Sequence, residues 1–123
     1  MFVTELRLTD FRNYAEARVH LEAGVTVFVG PNGQGKTNLV EAVEYLSTMS
    51  SHRVSGTVPL IRAGAESTIV GATVQAAFDD DRRISLELEL SPGRAGQARL
   101  NRAPVPRPRE IIGALRTVVF SPV

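Results

Sequence analysis

Apolar and polar residues alternate with a period of two in two stretches near the start of the chain. Phe2, Thr4, Leu6 and Leu8 share one phase, as do Ala15, Ala17, Val19 and Leu21. That period belongs to half-buried strands, so the pattern predicts an antiparallel pair joined through Asp10 to Tyr14. After Gly24, Val25-Thr26-Val27-Phe28-Val29 is a continuous apolar run, as in a central strand covered on both faces. The run stops at Gly30-Pro31-Asn32-Gly33. From Lys36 onward, Leu39, Val40, Val43 and Leu46 recur at helical spacing, which predicts a helix to about Thr48 with Glu41 and Glu44 outward.

Ser47 to Gly56 is polar and reads as a loop. Thr68, Val70, Ala72, Val74, Ala76 and Phe78 then share one face of a long strand, and Ile84, Leu86, Leu88 and Leu90 one face of the next. Asp79-Asp80-Asp81 between them suits a hairpin turn better than a metal site. Gln97 to Arg102 is a candidate short strand. Pro104, Pro106 and Pro108 are expected to forbid regular structure until a short helix near Arg109 to Leu115. Thr117 to Phe120 reads as a final buried strand. The order implies an α/β fold with a mixed sheet. Its parts are an apolar strand and helix over 25–48, a β-hairpin over about 66–91 and a basic, Pro-rich segment over about 92–108.

A chain of 123 residues makes about one domain. Its 43% hydrophobic and 22% charged residues suit a soluble globular protein. No apolar run reaches the ~20 residues of a membrane span, and Met1 to Asp10 lacks the features of a signal peptide, so a cytoplasmic location is expected. The absence of cysteine excludes disulfides, thiolate nucleophiles and Cys-based zinc sites. A net charge of +1 conceals an asymmetry: residues 91–123 hold six arginines and only Glu110. Such a segment is either a solvated face or a phosphate-contacting one. The single lysine of the chain is Lys36.

Gly30-Pro31-Asn32-Gly33-Gln34-Gly35-Lys36-Thr37 fits the pattern G-x-x-x-x-G-K-[ST] of a phosphate-binding loop. A polyphosphate needs many donors around it at once. Glycines let the backbone curl until successive N–H groups point inward, and the helix that follows adds its unpaired N–H groups and positive dipole end. Lys36 is then expected on the β- and γ-phosphates, and the Thr37 hydroxyl on Mg²⁺. Chance produces this pattern in well under ~1% of chains this long. Its setting between an apolar strand and an amphipathic helix is the one the chemistry requires. Hydrolysis also needs an acidic pair at the end of a second buried strand. Leu86 to Leu90 alternates with Glu87 and Glu89, and Val118-Val119-Phe120 runs into Ser121-Pro122, so neither supplies one.

Leu8-Thr9-Asp10-Phe11-Arg12-Asn13-Tyr14 followed by the phosphate-binding loop resembles the ATPase heads of SMC-like proteins, and within them the RecF family. Gly30 to Leu39 carries the likeness, as do Ser51-His52-Arg53, Pro59-Leu60-Ile61-Arg62, Ala98-Arg99-Leu100-Asn101-Arg102 and Val119-Phe120-Ser121-Pro122. Together these segments span nearly the whole chain. The resemblance implies an ABC-type head with an antiparallel hairpin subdomain that binds Mg-ATP and DNA. It implies a weak DNA-dependent ATPase that dimerises around ATP, acts in the DNA-damage (SOS) response and helps load recombinase at single-stranded gaps with RecO- and RecR-type partners. Family members are roughly three times as long, with signature motif and acidic strand beyond residue 123. The chain is therefore expected to be an amino-terminal part that binds nucleotide but neither hydrolyses it usefully nor dimerises on it. Val123 stands where the family usually continues with an acidic residue after Phe-x-Pro.

By the same resemblance Arg12 and Asn13 are candidate nucleotide contacts, against the plainer reading that Arg12 caps a turn beside Asp10. Asn38, with its amide in the first helical turn, is another candidate. His52 and Arg53 face nucleotide or DNA, or belong to a loop with no ligand. Two other functions remain open: a small P-loop kinase of metabolism, and a nucleotide-independent DNA-binding module using Arg94 to Arg116.

Overall fold

The structure is a computed structural model that describes residues 2–21, 36–48, 58–77, 79–93 and 96–105. The expected strand over 25–29, the loop over 30–35, His52, Arg53 and the expected elements beyond residue 108 lie outside the described residues.

The first two alternating stretches form β1 (Phe2–Phe11) and β2 (Tyr14–His20), paired antiparallel from Glu5 opposite His20 to Phe11 opposite Tyr14. Helix α1 spans Lys36–Thr48, the bounds the helical spacing predicts. A short 3-10 turn, Val58–Leu60, leads into β3 (Thr68–Ala77) and β4 (Asp80–Leu90), the expected hairpin. With β5 (Gln97–Leu100) and β6 (Ala103–Val105) the described residues form a six-stranded sheet in the order β2-β1-β3-β4-β5-β6. Its pairings are all antiparallel. The mixed sheet expected from the sequence turns on 25–29, outside the described residues.

One face of this sheet is apolar because the in-phase residues of three neighbouring strands line up. Leu6 and Leu8 of β1, Val70, Ala72 and Val74 of β3, and Leu86, Leu88 and Leu90 of β4 are all buried. Helix α1 packs on this layer with Leu39, Ala42, Tyr45 and Leu46. Thr68 joins it at no hydrogen-bonding cost, since its hydroxyl donates to the Thr9 carbonyl oxygen at 2.9 Å. The alternation in β1 breaks at Asp10, where φ is +51°, and Phe11 rather than Asp10 enters the core.

The opposite phase carries charges that satisfy one another. Arg7 donates to Glu5 and to the Thr73 hydroxyl at 2.8 Å each, and to the Ser85 hydroxyl at 3.1 Å. Arg99 pairs with Glu87 across β4 and β5, and reaches Glu89 at 3.6 Å.

The structure corrects several expectations. Glu41 does not point outward: it is fully buried, and Glu44 is half-buried. Val40, expected on the packed face, is 42% exposed because that face is centred on Leu39, Ala42 and Leu46. Ala76 leaves the core face because the register of β3 against β4 shifts between Gln75 and Ala77. Pro104 does not forbid regular structure. It lies in β6, the last strand of the sheet among the described residues, opposite Arg99. Asn101 and Arg102, both with positive φ, form the two-residue turn that closes on the Leu100–Ala103 pair. The next pair in such a hairpin exchanges no ladder hydrogen bonds, so the N–H that proline lacks is not needed there. Asp79 lies in the β3–β4 turn, and Asp80 opens β4 with its carboxylate on Arg82. Among the described residues no group of His and carboxylate side chains gathers to hold a metal ion.

Candidate functional site

Lys36 is the first residue of α1, so the end of the phosphate-binding sequence coincides with the N-terminus of the one α-helix among the described residues. The first turn of any helix exposes unpaired N–H groups and the positive end of its dipole, the feature an anion requires. Lys36 and Thr37, at this end of the helix, are by residue type a cation and a hydroxyl oxygen of the kind Mg²⁺ takes. Residues 30–35 lie outside the described residues.

The β1–β2 turn is seated against this helix. Arg12 forms a forked ion pair with Glu41, Nε to Oε1 at 2.9 Å and Nη2 to Oε2 at 3.0 Å. The Asn13 side-chain oxygen accepts from Asn38 Nδ2 at 2.8 Å. Three of the outlying candidates, Arg12, Asn13 and Asn38, are thus brought together within the first turns after Thr37. His52 and Arg53 lie outside the described residues.

Backbone contacts hold the turn from behind. The Arg12 N–H donates to the Leu60 carbonyl at 2.8 Å, the Arg62 N–H to the Asp10 carbonyl at 2.8 Å, and Phe11 bridges Ile61. Leu60 is fully buried, which gives Pro59-Leu60-Ile61-Arg62 a physical role as the backing of the turn. The reading in which Arg12 caps a turn beside Asp10 does not describe the contacts: the carboxylate on Arg12 is Glu41, and Asp10 faces Arg62 at 3.5 Å.

Arg12 has φ of +54°, a left-handed conformation that costs a non-glycine residue on the order of 1 kcal/mol or more. In this conformation its N–H donates to the Leu60 carbonyl and its side chain forks onto Glu41. The Glu41 side chain is 0% exposed and that of Arg12 19%. Enclosing a carboxylate is tolerable only with a well-aligned cation, and removing one partner of such a pair costs about 3–5 kcal/mol. Tyr45, one turn further along the same flank of α1, is buried, and burial pushes its phenol above the ordinary value.

Glu41 is the residue that reading the sequence missed. An acid four residues beyond Thr37 looks like part of a solvated face. The available signal was its position one turn before Tyr45 and next to Ala42, both on the packed side.

The RecF/RecN/SMC N terminal domain family matches over residues 2–122. DNA replication and repair protein RecF of Cutibacterium acnes (strain DSM 16379 / KPA171202) is 61% identical over 122 residues, covering 99% of this chain and 31% of that protein. The protein of the same name from Streptomyces avermitilis is 58% identical, with 99% and 32% covered. The chain thus spans about a third of the length of these curated relatives. Among solved structures, that of the recombination mediator protein RecF-ATP in the RecFOR pathway superposes with a TM-score of 0.87 at 30% identity, covering 98% of this chain and 33% of that one. A structure from work on ATP-driven dimerization and DNA-stimulated activation of SMC ATPases superposes at 0.79 and 23% identity, covering 91% and 76%, a likeness of fold.

Proposed function

The chain belongs to the RecF/RecN/SMC N terminal domain family, and from that premise we propose that it forms the ATP-binding part of a DNA replication and repair protein. Gly30, Pro31, Asn32, Gly33, Gln34, Gly35, Lys36 and Thr37 cradle the triphosphate, with Thr37 on Mg²⁺ and Arg12, Asn13 and Asn38 flanking the site. The observation that carries this reading is the coincidence of the motif's lysine with the first residue of α1, where a polyphosphate finds a dipole, unpaired amides and a cation together. The superposition on a RecF-ATP structure supports it.

The whole protein, in this reading, binds DNA, dimerises around ATP as an SMC-type head does, hydrolyses ATP weakly, and helps load recombinase at single-stranded gaps with RecO- and RecR-type partners. A small-molecule kinase is disfavoured, because the stretch that would form an acceptor lid is the β3–β4 hairpin of the sheet. The test is calorimetry of Mg-ATP binding to wild type and Lys36→Ala. Loss of this charge-assisted contact weakens binding about ten- to a hundredfold. Equal affinity in the two proteins refutes the phosphate-binding assignment.

A further inference from the structure

We propose that Glu41 is a positioning residue of the nucleotide site: its buried carboxylate holds the Arg12 guanidinium, and with it the β1–β2 turn, against the phosphate-binding end of α1. The proposal rests on the nucleotide-binding reading above.

Four observations converge on it. The carboxylate is completely enclosed, on a helix whose side chains Leu39, Ala42, Tyr45 and Leu46 join the apolar core, and a charge is buried at a cost unless a cation meets it. The fork is aligned along one edge of the guanidinium, Nε and Nη2. A guanidinium has five N–H donors, and this pair takes two of them, so Arg12 is able to hold a carboxylate on one edge while donating to an anion from another. Arg12 combines a left-handed φ with a backbone bond to Leu60 and a side-chain fork to Glu41, and uncommon backbone conformations of this kind cluster at ligand sites. Finally, Glu41 lies one helical turn beyond Thr37 and Asn38, and Asn38 itself bonds Asn13 in the same turn. The two side-chain contacts together fix where the turn meets the helix. A cation anchored in this way carries little reorganisation cost when a phosphate arrives.

Glu41→Gln preserves volume but sets an amide N–H₂ toward Nη2, which breaks the fork. Mg-ATP affinity is measured by calorimetry at low temperature, where each variant's circular dichroism and thermal transition show it folded, for Glu41→Gln, Arg12→Ala, Arg12→Lys, Lys36→Ala and the double variant Arg12→Ala/Glu41→Gln. Glu41→Gln is expected to weaken binding roughly tenfold, the worth of one charge-assisted contact. The double variant is expected to bind no more weakly than Arg12→Ala alone, because Glu41 acts through Arg12. Arg12→Lys is expected to be impaired like Glu41→Gln, since an ammonium cannot form the fork. Wild-type affinity in folded Glu41→Gln, or losses that add in the double variant, overturns the proposal while Lys36→Ala still shows the nucleotide site to be real. If Glu41→Gln does not fold, Arg12→Lys decides, and wild-type affinity there overturns the proposal. Unchanged affinity in Lys36→Ala overturns the nucleotide reading itself, and this proposal with it.

Discussion

Substituting Gly71 with alanine and with valine probes the polar face of the sheet. A Cβ built at Gly71 meets Arg7 Nη2 at 3.4 Å, the Leu86 carbonyl oxygen at 3.4 Å and Arg7 Nε at 3.5 Å, ordinary van der Waals contact. Its φ is not among the positive ones, so alanine is not strained there. Gly71→Ala is therefore expected to fold with unchanged or slightly raised stability, by up to about 0.5–1 kcal/mol, because the unfolded chain loses freedom. Valine differs. Its methyls branch about 1.5 Å further out, into the space where the Arg7 guanidinium lies. Arg7 must swing away and give up its bonds to the Thr73 and Ser85 hydroxyls. With the Arg7 side chain 25% exposed, each of these bonds is worth about 1 kcal/mol net, and the loss is roughly 2 kcal/mol. In thermal unfolding that lowers the midpoint by on the order of 8 °C for a domain of this size. The control is the Arg7→Ala background, where the bonds are already gone and Gly71→Val has little left to disrupt. Equal midpoints for the alanine and valine variants, or an undiminished valine penalty without Arg7, would refute the account of Arg7 crossing over Gly71.

Two further outcomes are expected from the structure. Leu88→Ala, at a fully buried position in the layer under α1, is expected to cost about 3–5 kcal/mol by denaturant unfolding, whereas Leu100→Ala, 37% exposed, is expected to cost less than half as much. The Arg7 hydrogen bond, helped by the nearby charges of Arg18 and Arg7, holds the Glu5 carboxyl below its ordinary value of 4.5. A depressed folded-state value gives stability that is present above the unfolded value and lost as pH falls through the folded one. Unfolding midpoints measured from pH 6 to pH 3 should therefore fall less steeply in Glu5→Gln than in wild type, and parallel curves would refute the assignment.

Several elements of this protein were legible in the order of its residues because their causes are local. A period of two in Leu6-Arg7-Leu8 and in Val70 to Val74 makes a half-buried strand wherever it occurs. The bounds of α1 followed from Lys36, Leu39, Val43 and Leu46, and the phosphate-binding sequence from the spacing of Gly30, Gly35 and Lys36. A hairpin formed at the aspartates because the apolar runs on either side had to pair, though only Asp79 lies in the turn and Asp80 already opens β4. Other features depended on partners remote in sequence. Pro104 is acceptable in a strand because, among the described residues, that strand lies at the sheet's edge, which the residues around it do not reveal. Ala76 keeps the phase of its neighbours and still leaves the core, since the register of the opposite strand decides which face it meets. Glu41 is the clearest case. A carboxylate on a helix belongs in water unless a cation meets it inside, and the cation, Arg12, stands 29 residues earlier at the tip of another element. Local pattern set the elements and the motif because propensity and periodicity are properties of neighbours. The burial of a charge is a balance between desolvation and a partner's alignment, and only the folded chain brings the two ends of that balance together.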